Sequence, residues 1–366
     1  MTIFTSLALP GIRGLSPYQP GKPIEELERE LGISNIIKLA SNENPLGTPA
    51  SAIAAIGKAL PDLALYPDGS AFGLKQKLAL QLSVNASQIT IGNGSNELLD
   101  LIARVFLSPD NNAVVSRHAF IVYPIAVNAL GSTLKVAEAK NLGHDLERMA
   151  GLVDENTRLV FIANPNNPTG NWLGIAEIEK FLSSIPESVI VVLDEAYHEY
   201  VDKLDYASGL TILDKFPNLI ITRTFSKAYG LAGLRVGYCI SNPEIADLLN
   251  RLREPFNVNS LALAAAEAVL DDRDYLDRGL IINREGMKQL EAGLLQLGLP
   301  FIESAGNFLL VDFGRDAMPI YQQFLQEGII LRPVGVYELP TYLRISVGLP
   351  DQNARFLAVC KKVLQE

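Results

Sequence analysis

Residues 219–240 read LIITRTFSKAYGLAGLRVGYCI: two β-type runs, LIIT and VGYCI, around a glycine-rich turn that carries one lysine, Lys227. Lysine ordinarily sits in water on a polar stretch. Here an apolar strand leads straight into it, hydroxyls precede it (Thr222, Thr224, Ser226) and a second cation, Arg235, follows. A lysine held in a partly apolar setting can lose its proton and attack a carbonyl. Ser226 and Arg235 are residue types that hold a phosphate. Taken alone, Lys227 reads more readily as a solvated surface lysine.

Moving outward, further short runs rich in Val, Ile and Leu recur at wide spacing: 88–92 (QITIG), 113–116 (AVVS), 133–136 (TLKV), 158–163 (RLVFIA) and 189–193 (VIVVL). Near-continuous apolar strands are the mark of a sheet buried on both faces. Helical stretches separate them. SNELLDLIARVF (95–106) lines up Leu98, Ile102 and Val105; GIAEIEKFLSSI (174–185) lines up Ile175, Ile178, Phe181 and Leu182. The alternation predicts an α/β sheet of seven strands covered by helices. Beyond residue 245 the texture changes to a long helical stretch (259–298), then the strand-like pieces NFLLVDF, GIILRP and YLRISVG. These predict a smaller α+β domain. The expected division is a large domain over 47–245, with 1–46 and 246–366 forming the small domain and an N-terminal arm. The arm, rich in Pro and Gly up to NENPLG, is expected to pack on that small domain or on a partner subunit.

The whole chain is 366 residues, 48% hydrophobic and 20% charged, with a formal net charge of -10. Such an acidic chain is a poor binder of nucleic acid, whose affinity comes from clustered Lys and Arg. Two cysteines, Cys239 and Cys360, are too few for a disulfide framework. The first residues lack a basic leader, and no apolar run approaches the roughly 20 residues that span a bilayer. A cytoplasmic protein without a membrane segment is expected, and no metal.

Three more stretches carry chemistry. In IGNGSNELLD, Gly92 and Gly94 follow a strand and open a helix at Ser95 and Asn96. Backbone N–H groups at a helix start attract an anion. A dinucleotide fingerprint needs a third glycine where Glu97 stands and an acid about 20 residues on. The pattern fits a single phosphate, or a plain capped turn. In FIANPNNPTGNW (161–172), a buried strand runs into three asparagines stiffened by two prolines. Strand ends facing a crevice are where α/β proteins place ligands, and Asn167 could donate to a ligand oxygen; a simple turn also uses Asn and Pro. In VIVVLDEAYHEY (189–200), Asp194 ends an apolar strand with the Tyr197 hydroxyl alongside. A buried carboxylate is costly unless paired. It either faces a positive ligand atom or caps a helix. Together the four stretches match one molecule, pyridoxal 5'-phosphate: a phosphate cradle, Asn167 for its 3'-oxygen, Asp194 for its ring nitrogen and Lys227 for its aldehyde.

NPNNPTG, DEAY and SKAYGLAGLRVGY stand in the order and spacing of the fold-type I aminotransferases, which the sequence resembles. Within them it is most similar to the histidinol-phosphate aminotransferase family. The likeness runs through YQPGKPIEELERELG, KLASNENPLGTP, LYPDGSAFGLKQKLA, IGNGSNELLDLIAR, HAFIVYP and LRPVGVYELPTYLRISVG, nearly the whole chain. It implies a fold-type I architecture with a seven-stranded, mostly parallel sheet. It implies transamination of L-histidinol phosphate with 2-oxoglutarate, giving imidazole-acetol phosphate and L-glutamate. It assigns Gly94, Ser95, Asn96, Thr224, Ser226 and Arg235 to the cofactor phosphate, Phe120 to the ring face, and Lys227, Asp194 and Tyr197 to catalysis. Tyr66 would reach the cofactor of a second subunit, making the homodimer part of the site. Tyr18, Asn44, Asn167, Arg332 and Arg344 would bind substrate. A guanidinium fork suits a phosphate or a carboxylate; the lesser alternative for Arg332 and Arg344 is surface ion pairing. Many members carry a PTY-like stretch where this chain has His118-Ala119-Phe120, which offers no hydroxyl to the cofactor. Rival readings are an aromatic amino-acid aminotransferase, a cofactor-dependent decarboxylase of a phosphorylated amino acid, and a cofactor-binding regulator without catalysis.

Overall fold

The computed structural model describes residues 3–17 and 19–365. Its strands in chain order are β1 (Ile37–Lys38), β2 (Ile89–Gly92), β3 (Asn112–Ser116), β4 (Thr133–Ala137), β5 (Thr157–Ala163), β6 (Ile190–Asp194), β7 (Leu219–Thr224), β8 (Gly237–Ile240), β9 (Phe301–Ile302), β10 (Phe308–Asp312), β11 (Ile329–Ile330), β12 (Arg332–Pro333) and β13 (Tyr342–Ser346). Each of the seven runs read as strands between 88 and 240 forms one, and all seven join a single sheet in the order β2-β8-β7-β6-β5-β3-β4. The pairs β7–β6, β6–β5, β5–β3 and β3–β4 are parallel, whereas β8 runs antiparallel to both β2 and β7.

Alternation along each central strand divides its side chains between two cores. Val160, Ile162, Val191, Leu193, Leu219 and Ile221 face one, under helices Phe72–Leu82 and Ile175–Ser184. Leu159, Phe161, Val192 and Ile220 face the other, under helices Ser95–Phe106 and Val122–Ala129. Helix Ser260–Val269, which follows the expected boundary at 245, packs on helix Ala50–Ala59 and adds Ala262, Ala265, Ala266 and Val269 to the first of these cores.

A third core joins β10, β13 and helices Arg273–Gln296, Ala317–Gln326 and Pro350–Gln365. The strands β12-β13-β10-β9 form an antiparallel sheet there. The N-terminal segment contributes Leu27, Leu39 and Ala40 to this core, and β1 pairs in parallel with β11. Further upstream, Ile3, Phe4, Leu7 and Leu9 are exposed. Among the described residues, no helix is long and apolar enough to cross a membrane.

The sheet's topology places the site. In a parallel sheet the carboxyl ends of the strands lie along one edge. Register sets Ala163 beside Asp194 and Asp194 beside Thr222. Because β8 is antiparallel, its amino end lies at the same edge: Gly237 sits between Gly92 and Thr224, with Arg235 just before it.

Candidate active site

The residues at that edge line a cavity of about 250 Å³. Ser95, Asn96, Phe120, Asn167, Asp194, Tyr197, Thr224, Ser226, Lys227, Arg235, Arg332 and Arg344 all take part, so the four stretches singled out for their chemistry converge on one space with Phe120, Arg332 and Arg344.

At one end is an anion cradle. Gly94 has φ +84 and precedes the helix Ser95–Phe106, whose first N–H groups have no partner within the helix. A Cβ on Gly94 would lie 2.4 Å from Arg235 Nη2, so only glycine lets that guanidinium come in. Arg235 itself is left-handed (φ +57), and its Nη1 donates to Ser226 Oγ at 3.1 Å. Thr224 Oγ1 accepts from the Ser226 N–H at 3.0 Å, fixing the turn that enters Lys227.

Lys227 is half-buried, and its Nζ donates to the Ser41 carbonyl at 2.8 Å. Burial, reinforced by the nearby Arg344 guanidinium, lowers its pKa from 10.5 to about 7. The next residue is clasped from across the chain, since Asn44 Nδ2 donates to the Ala228 carbonyl at 2.9 Å. Asn44 is not among the lining residues; Ser41, Asn42 and Glu43 of the same segment are.

Asp194 is buried at the end of β6. The Tyr123 hydroxyl donates to its Oδ2 at 2.8 Å and Thr222 Oγ1 to its Oδ1 at 2.9 Å. Burial pushes this carboxyl up, and the two hydroxyls pull against that shift. Tyr123 stacks on Phe161 at 4.9 Å and meets the Phe120 ring edge-on at 5.8 Å. Beneath, Glu195 is fully enclosed and paired with Arg223 at 2.9 Å, with Ser208 and the Gly209 N–H also donating to its carboxylate.

Two buried guanidinium groups, Arg332 and Arg344, also line the cavity. Arg344 donates through Nη1 to Asn167 Oδ1 and through Nη2 to the Ala40 carbonyl at 2.6 Å. An Asn167 amide whose oxygen accepts from arginine has only its NH2 to offer a ligand. The Tyr197 hydroxyl accepts from Asn42 Nδ2 at 2.9 Å, and burial raises its pKa to about 12. Arg332 and Arg344 are register partners on neighbouring strands, which sets both on one face. Neither is the surface ion pair that residue type alone allowed, as both are buried.

One expected residue stands elsewhere. Tyr66 is 83% exposed and stacks on Phe256 at 4.7 Å, away from this chain's own cavity. Tyr18 lies outside the described residues. Conversely, Tyr123, Ser41, Asn42 and Tyr337 belong to the site although residue type alone gave them no role. Tyr123 lies within HAFIVYP and Tyr337 within LRPVGVYELP, so both motifs held a signal that residue type did not resolve.

The donor set fits pyridoxal phosphate on chemical grounds. A helix start with a serine and an arginine suits a phosphate, a buried carboxylate a protonated ring nitrogen, an amide NH2 a ring oxygen, and a neutral amine an aldehyde.

Comparison with known proteins agrees. The family model "Aminotransferase class I and II" matches residues 34–359. A histidinol-phosphate aminotransferase 2 of Pseudomonas fluorescens is 56% identical over 99% of this chain and 98% of its own length. The protein of that name from Pseudomonas aeruginosa is 56% identical over 100% and 99%. The crystal structure of histidinol-phosphate aminotransferase from Sinorhizobium meliloti in complex with pyridoxal-5'-phosphate superposes with a TM-score of 0.91, at 33% identity and 98% coverage of both chains.

Proposed function

Since the chain belongs to the class I and II aminotransferases, we propose that it transfers the amino group of L-histidinol phosphate to 2-oxoglutarate, giving imidazole-acetol phosphate and L-glutamate in histidine biosynthesis. The observation that carries this reading is the meeting of Lys227, Asp194 and the Gly94–Arg235 cradle in one cavity with buried Arg332 and Arg344.

Pyridoxal phosphate, when bound, supplies an electron sink for charge developing at the donor's Cα. Gly94, Ser95, Asn96, Thr224, Ser226 and Arg235 would hold its phosphate and Phe120 would cover one ring face. Asp194 would pair with the ring nitrogen, and Asn167 and Tyr197 would reach the ring oxygen. Lys227, with a pKa near neutrality, is suited to take a proton from the donor Cα and deliver it to the adjoining cofactor carbon. The cage of Tyr123 and Thr222 keeps Asp194 oriented without blocking the cavity side. Arg332, with Tyr18, would take the donor's phosphate, and Arg344 the carboxylate of glutamate or 2-oxoglutarate. Asn44, which clasps the Ala228 carbonyl, would support the substrate side through the turn that carries Lys227. Tyr66 would complete the phosphate site of a second subunit, so we read the enzyme as a cytoplasmic homodimer.

The deciding experiment is a donor panel on the holoenzyme, following the cofactor's visible spectrum. Histidinol phosphate should change it fastest. A faster response to phenylalanine or tyrosine would transfer the assignment to an aromatic aminotransferase, and carbon dioxide release would transfer it to a decarboxylase.

A further inference from the structure

His118 has a backbone that L-residues seldom adopt, φ +61. Its Nδ1 lies 2.6 Å from the Tyr337 carbonyl oxygen. A carbonyl can only accept, so Nδ1 carries the hydrogen. The His118 carbonyl in turn accepts from Asn166 Nδ2 at 3.1 Å, inside the NPNNPTG turn. The neighbouring residues grip the same target. Arg117 pairs with Glu338 at 3.2 Å, and Ile121 packs on the cluster of Val334, Tyr337 and Leu339. Glu338 is 69% exposed in that pair, and exposed pairs contribute little. The part-buried His118 bond is the directional contact of the three.

Both of the segments so joined help to line the cavity. Phe120 follows His118 by two residues; Arg332 begins the segment that carries Tyr337; and Phe120, Arg332 and Tyr337 all line the space. We infer that His118 is a positioning residue for donor recognition. It ties the wall behind the cofactor ring to the 332–339 segment, and thereby sets affinity for the group at the far end of the donor. This rests on the reading that Arg332 receives that group. His118 touches neither donor nor cofactor in this role, so its loss should weaken donor binding and leave the chemical step alone.

Two variants of the holoenzyme separate the hydrogen bond from the backbone. His118→Gly keeps the positive φ and removes the donor. His118→Asn tolerates the same φ and carries an N–H on its own γ carbon's nitrogen, where Nδ1 stands in histidine. With histidinol phosphate, His118→Gly should raise KM by about five- to tenfold, the worth of one hydrogen bond. The inhibition constant of inorganic phosphate against the donor should rise in step, while kcat and the dissociation constant of pyridoxal phosphate stay within about twofold. His118→Asn should return KM to within about twofold of the parent. An unchanged KM in His118→Gly, a kcat or cofactor affinity that falls along with it, or no rescue by Asn would each overturn the inference. If the parent enzyme uses phenylalanine and not histidinol phosphate, the proposed function fails separately. The KM for phenylalanine then decides the brace: a rise in His118→Gly with rescue by Asn upholds it, and no rise overturns it.

Discussion

Tyr123 and Asp194 meet inside the sheet's upper edge, the phenol donating to Oδ2 at 2.8 Å with the tyrosine ring wholly enclosed. Replacing Tyr123 with Phe keeps the ring and deletes the donor. Hydrogen bonds to charged groups contribute roughly 1.5–3 kcal/mol. The cofactor-free variant should lose stability of that order in urea unfolding at pH 7. Its Asp194 carboxyl, with one counteracting bond gone, should titrate higher still.

Lys227→Ala should fold, remain dimeric if the parent is, and lose nearly all transamination. General acid–base catalysis alone is worth about 10²–10⁴ in rate, and here the covalent attachment goes too. Borohydride should no longer fix the cofactor to the chain. Full activity in this variant would refute the assignment of Lys227.

The lowered pKa of Lys227 has a signed consequence for stability. Between about 7 and the ordinary 10.5 the unfolded chain holds a proton on this amine that the folded, cofactor-free chain does not. Stability therefore rises with pH across that window. Urea midpoints at pH 7, 8 and 9 should climb in the parent relative to Lys227→Met, which lacks the group. Parallel curves would show that the amine is not depressed.

Gly94→Ala places a methyl 2.4 Å from Arg235 Nη2 at a positive φ. The arginine must move out of the cradle. Pyridoxal phosphate should bind at least about tenfold more weakly, as expected for the loss of one charge-assisted contact. Equilibrium dialysis against the cofactor measures this directly.

Arg223→Met strands Glu195 as a lone charge with 0% of its side chain exposed. Breaking a buried pair by removing one partner costs about 3–5 kcal/mol. A fall in thermal midpoint is expected, with the cofactor spectrum of the surviving folded fraction unchanged.

Local pattern carried the sheet. Each central strand is an apolar run with its own period, so strand positions were legible to within a residue or two. The cavity's cofactor side was legible too, because Asp194 closes β6 and Asn167 and Lys227 stand in the turns just beyond β5 and β7. What stayed hidden depends on long-range geometry. Asn42 reaches Tyr197 across 155 positions and Asn44 reaches Ala228 across 184, and an isolated asparagine says nothing about such a partner. The segment's motif pointed to Asn44, yet the neighbouring asparagine is the one that lines the space. Tyr123 resembled any core aromatic in an apolar helix. Periodicity likewise marks Ser260–Val269 as a helix without saying which core receives it.

The bond from Arg344 to the Ala40 carbonyl spans 304 positions, and among the described residues β1 finds its strand partner in β11. Translation delivers these partners at opposite ends of the process. Ser41, Asn42 and Glu43 leave the ribosome well before the strands that hold them in place. Domains tend to fold as their residues appear, so the large sheet can form around Lys227 while one side of its pocket is still open. Closure of the donor side then waits for the strands that carry Arg332 and Arg344. A chain cut short before residue 344 would retain the reactive lysine without the wall that selects what reaches it.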